Sequence, residues 1–210
     1  MPQLRRAFPA DLWRAGPRRL AVLVFGLWLF GSGEALIVAA DLGNSPWTVL
    51  AQGVSLSTDL SIGAATIVIS FVVLLAWFPL RQLPGLGTIA NAIIVGVALG
   101  VVLDWLPTNP APLGSWLLLA SGIGAVAIGG GLYLSVHLGP GPRDGLMTGL
   151  HARTGHSLRL VRTVVEIGAL AAGFLLGGTV GIGTVAFALL IGPGVHGVFY
   201  AAEPRVQHLR

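Results

Sequence analysis

Long stretches of apolar residues alternate with short polar joints containing Gly and Pro along most of the chain. They fall at 20–40, 61–80, 86–106, 114–136, 160–178 and 182–201. Each approaches the roughly 20 residues that a helix needs to cross about 30 Å of hydrocarbon. The fold class expected is all-α: a polytopic membrane protein of six transmembrane helices. The 31 glycines would weaken soluble helices, but in lipid they let helices approach closely. Gly122, Gly124 and the run Gly129-Gly130-Gly131 read as packing positions of the fourth span.

The pattern repeats. At an offset of 96 residues, Leu42-Gly43-x-x-Pro46 meets Leu138-Gly139-x-x-Pro142, and Gly85-Leu86-Gly87-Thr88 meets Gly181-Ile182-Gly183-Thr184. Positions 42 to 102 give about nineteen identities in sixty-one, without a gap. Three spans per half make the second half inverted relative to the first, a design common among secondary transporters. The domain organisation expected is a basic amphipathic cytoplasmic arm at 1–19, three-span repeats at 20–106 and 107–201, and a cytoplasmic tail at 202–210. Each repeat carries an additional short helix after its first span. Gly43 and Gly139 close the preceding helix, while Pro46 and Pro142 open the next. Asn44 or Ser45 can cap the first short helix, and Gly141 fills that place in the second. Two placements remain open: the short helices lie at the two membrane surfaces, or they dip in as re-entrant hairpins whose amide-rich starts attract anions.

Charge orients the spans. The twelve bases are all Arg, and charged residues make up only 10% of the chain, too few to coat a soluble domain. Arg5, Arg6, Arg14, Arg18 and Arg19 precede the first span, which predicts a cytoplasmic N-terminus. With six spans, Arg81, Arg143, Arg153, Arg159 and the tail bases Arg205 and Arg210 fall on that same side. The opposite joints hold Asp41, Asp59 and Asp104 and no Arg. The basic start resembles a signal peptide, but its apolar stretch is too long and no small-residue cleavage site follows, so a retained first span is expected. The bases flank spans rather than forming one face, which argues against nucleic acid as a partner. With no Cys, thiol chemistry and disulfides are excluded.

The doubled LGxxP, the longer LGPGPRDGLMTGL at 138–150, GIGT at 181–184 and IGP at 191–193 together resemble the bacterial YczE/YitT-type membrane proteins. The resemblance runs over nearly the whole chain after residue 18. It implies a multi-pass protein of the bacterial inner membrane and assigns no activity. The first motif departs from the second, with Trp47-Thr48 standing where the second half has Arg143-Asp144.

Polar residues inside apolar spans are functional candidates, because lipid makes them costly. Glu34 is the clearest, and sequence does not name its partner. Arg162 and Glu166 share a helix face and can pair. Arg143 and Asp144 open the second short helix. Asp41, Asn44, Trp47, Asn91 and His196 complete the candidate path, with Gly43, Pro46, Gly139 and Pro142 as its backbone motif. Trp28, Trp47, Trp77, Trp105 and Trp116 suggest aromatic belts near span ends. No H-E-x-x-H, G-x-S-x-G or P-loop occurs, and His151 and His156 lack a neighbouring acid. No enzyme, cofactor or metal is therefore expected. The leading expectation is a small secondary transporter in the lipid bilayer, moving a small solute and acting as a homodimer. A scaffold for another membrane complex is the alternative.

Overall fold

The computed structural model describes residues 12–108 and 110–207. The amphipathic arm expected at 1–19 lies largely outside them, and so does the end of the tail. Among the described residues the chain forms nine helices: α1 (Pro17–Ala40), α2 (Pro46–Leu56), α3 (Ile62–Leu75), α4 (Trp77–Leu80), α5 (Leu86–Leu103), α6 (Pro112–Ser135), α7 (Pro142–Thr154), α8 (Leu158–Leu175) and α9 (Ile182–Gln207). The fold is all-α, as the apolar pattern predicts.

Local chemistry places the joints. Proline opens α1, α2, α6 and α7, where its missing N–H is no loss. Ser61 and Ser157, 96 residues apart, cap α3 and α8 by accepting from the backbone N–H of Ala64 and Leu160. The expected second span is broken between α3 and α4. Pro79 forbids a helical bond back to Leu75, and α3 ends there. α9 keeps its helix past Pro193 and Pro204 to Gln207, so the tail expected from residue 202 begins as helix.

Among the described residues, five segments are long and apolar enough to cross a membrane: α1, α3 with α4, α5, α6 and the stretch Ile182–Pro204 of α9. α8, on the site of the expected fifth span, spans 18 residues but carries Arg159, Arg162 and Glu166. Those charges gather on one side and make α8 amphipathic.

α1 and α6 cross at the centre in opposite directions. A Cβ on Gly26 would lie 3.0 Å from the Gly129 carbonyl oxygen, and one on Gly33 would lie 2.7 Å from that of Gly122. Backbones therefore touch directly, which is how helices gain dispersion energy where lipid removes the hydrophobic drive. α5 packs on α1 and α9 on α6. The two resulting cores use matching positions. Leu23, Leu27, Val95 and Val136 build one, and Leu119, Ile123, Ile191 and Ala40 build the other.

The motifs interlock crosswise. The Leu42 carbonyl accepts from Gly183 N–H at 2.7 Å, and the Leu138 carbonyl from Gly87 N–H at 2.8 Å. Each LG turn thus docks on the Gly-x-Gly-Thr start of the other half's last helix. Thr88 and Thr184 complete both joints by accepting from Gly85 and Gly181 N–H.

The matched packing fails at one seam. Gly63 lets α3 close on α5 at Gly96 and Gly100, but α8 and α9 barely meet, and Gly192 has open space around it. Only 11% of the α9 stretch is buried, against 50% for α6.

Candidate functional site

The open seam leads into a cavity of about 510 Å³ between the long helices. Its position follows from where the short helices begin. α1 and α6 are antiparallel, so their C-termini lie roughly 30 Å apart at 1.5 Å per residue. Connectors lying at the two surfaces would keep that distance. Instead the Arg143 guanidinium carbon sits 5.2 Å from the centre of the Trp47 ring. Both short helices therefore begin within the helix bundle, near enough for Trp47 of α2 and Arg143 of α7 to stack, which is the arrangement the inward placement calls for.

Glu34 lies two turns back from the end of α1 and is fully buried. Its Oε2 accepts from Ser45 Oγ and Thr48 Oγ1, each at 2.8 Å. Ser45 occupies the N-cap of α2, as expected, but makes no side-chain cap bond. Its hydroxyl turns to Glu34 instead, so a capping interaction gives way to a tertiary one. The other carboxyl oxygen, Oε1, is buried with no hydrogen-bond partner.

Across the cavity, Asp144 in the first turn of α7 accepts from Tyr133 Oη at 2.8 Å. Arg143 beside it stacks over Trp47, a cation–π contact. The carboxyls of Glu34, Asp144 and Glu166 lie near enough to act on its charge. On α8, Arg162 Nε donates to Glu166 at 2.9 Å, the pairing that their spacing predicts. The pair stands in the cavity wall and remains part-exposed through the seam.

Of the other sequence candidates, Asn91 and His196 reach the same cavity. His196 also packs its ring against Tyr200. Pro46 lines the wall, and Pro142 accepts from Trp77 Nε1 at 2.9 Å. Asn44 serves the fold: its amide donates to Gln52, whose Oε1 also accepts from Thr179 N–H. Asp41 lies away from the site, exposed in a left-handed turn with φ 53°. Trp47 and Trp77 are buried among helices and do not form belts, whereas Trp28, Trp105 and Trp116 are exposed. Sequence reasoning missed Tyr133, Thr48 and Ser70. A Tyr in the apolar run of α6 was the available signal, since a buried phenol needs a partner for its hydroxyl.

Residues 17–199 match the model of a family of unknown function, DUF6198. The chain belongs to this family. It is 43% identical over 199 residues to an uncharacterized protein of Haemophilus influenzae, covering 95% of this chain and 91% of that one. It is 32% identical to the uncharacterized membrane protein YczE of Bacillus subtilis, over 82% of this chain and 78% of that one. It is also 30% identical to the uncharacterized protein YyaS of the same organism, over 81% and 87%. No solved structure matches it. With its apolar helices and its likeness to YczE, the DUF6198 chain is a multi-pass membrane protein, as the sequence resemblance implies.

Proposed function

We propose that this DUF6198 protein is a small secondary transporter of the bacterial inner membrane. In this reading it consists of two inverted three-helix repeats, with both termini in the cytoplasm. The observation that carries the proposal is the cavity at the meeting point of both short helices. It combines apolar walls with charged groups held in place by the fold, at the junction of the two halves where transporter sites tend to lie. α8 completes the six crossings with its charged side turned to the cavity and its apolar side to lipid. A second copy covering the open α8–α9 seam would form the homodimer. The reading needs no catalysis, cofactor or metal.

The test is solute counterflow in liposomes holding the purified protein. A panel of small organic and inorganic solutes should include one that exchanges. Glu34→Gln should change that flux several-fold without lowering the amount of protein in the membrane. No flux for any solute, together with a stable partner on mild detergent extraction, would favour the scaffold.

Orientation has its own check in a chain without Cys. Single cysteines near 110 and 180 should react with an impermeant reagent from outside, while those at 82, 155 and 208 should not. External labelling at 155 would end the six-span arrangement.

A further inference from the structure

Two charged groups with unmet hydrogen-bonding capacity stand on either side of Ser45. On the cavity side is Arg143, whose five N–H donors have no acceptor among the described residues. The stacked Trp47 ring holds the guanidinium without using those donors. The other charged groups of the wall are answered: Asp144 by the Tyr133 hydroxyl, and Arg162 and Glu166 by each other. On the buried side is Glu34, with two donors on one carboxyl oxygen and none on the other. Beside Arg143 the cavity offers Phe30, Met147, Phe187, Ile191 and Val195, a wall suited to an apolar body.

We propose that Arg143 receives the carboxylate of a small organic acid with an apolar body, and that Glu34 takes up one proton in the same binding event. The inference rests on reading this cavity as the solute site. A planar guanidinium with free donors matches a carboxylate in geometry and charge. Charge balance supplies the proton. Arg162 and Glu166 cancel, which leaves one guanidinium against the carboxyls of Glu34 and Asp144. An incoming carboxylate adds a third negative charge around one positive one, in surroundings that screen poorly. A proton from solvent on Glu34 Oε1 converts the carboxylate to a neutral acid and removes the excess. Ser45 and Thr48 from α2 and Arg143 from α7 face Glu34. Asp144, Tyr133 and Glu166 face Arg143 as well, and His196 and Arg162 line the same cavity.

The test is titration calorimetry of the purified protein with benzoate and octanoate. Runs in two buffers of different ionisation heat count the protons taken up. Wild type should bind with proton uptake, and affinity should weaken by up to about tenfold per pH unit as pH rises. Glu34→Gln should bind without proton uptake and with flat pH dependence, whereas His196→Gln should still take up the proton. Arg143→Gln should lose binding. Arg143→Lys keeps the charge without the fork and should bind more weakly, which preserves the test if the Gln variant misfolds. Benzamide, neutral and of similar shape, should not bind. Binding of neither acid to monodisperse protein would overturn the proposal, as would pH-independent affinity in wild type or uptake that follows His196. Binding with proton uptake but no flux in liposomes would sink the transport reading and leave this one standing. Flux with pH-independent binding would do the reverse.

Discussion

Gly43 and Gly139 turn the chain with φ of +100° and +114°, where a side chain is strained whatever space surrounds it. Space is also lacking: a Cβ on Gly43 would lie 2.3 Å from Gly181 N, and one on Gly139 2.7 Å from Thr88 Oγ1. Gly43→Val and Gly139→Val should each destabilise by more than about 1 kcal/mol, since strain and overpacking add. Gly16, with no neighbour within 4 Å, is the control. Thermal melting and monodisperse yield of the three variants check this, and equal behaviour would remove the geometric demand. These glycines were legible in the sequence because backbone geometry restricts what can stand at a helix end. The surroundings of Glu34 were not legible. Its partners Ser45 and Thr48 lie eleven and fourteen residues on, and they reach it only because α2 folds back. Trp47 misled for the same reason: an indole near a span end reads as a belt until a helix covers it.

The α1–α6 crossing depends on glycines that meet backbone to backbone. A leucine at Gly33 or Gly129 would have to push the helices apart, at a cost of at least roughly 1–3 kcal/mol. Gly124, on the same helix as Gly129, faces open space. Gly124→Leu should therefore melt within about 0.5 kcal/mol of wild type. A loss at Gly124 equal to that at Gly33 would mean that the crossing is not where it is described. The signal for this crossing was present in the repeat itself. Gly26 and Gly33 recur 96 residues later as Gly122 and Gly129, and each pairs with the other's counterpart. Differences between the halves were equally informative. Gly63, Thr66, Ser70 and Gly100 of the closed α3–α5 seam correspond to Arg159, Arg162, Glu166 and His196. Bulk and charge replace small residues at four matched positions, and the second seam stays open. Periodicity cannot show this, because α8 still reads as a helix; only the register of the repeat does.

For the whole molecule, the apolar runs gave the order of the long helices, and Gly and Pro gave the joints. Their lateral arrangement lies outside such patterns, because lipid-facing and helix-facing positions are equally apolar. The site appears only at this scale, where two turns far apart in sequence bring α2 and α7 together. Glu34 and Arg143 come near each other only through that meeting. It is tested by introducing Trp47→Cys and Arg143→Cys together into the Cys-free chain and adding a short bifunctional thiol reagent in native membranes. The inward arrangement predicts an intramolecular cross-link in the double variant and in neither single one. Absence of the cross-link, with the two cysteines reacting separately from opposite sides of the membrane, would contradict it.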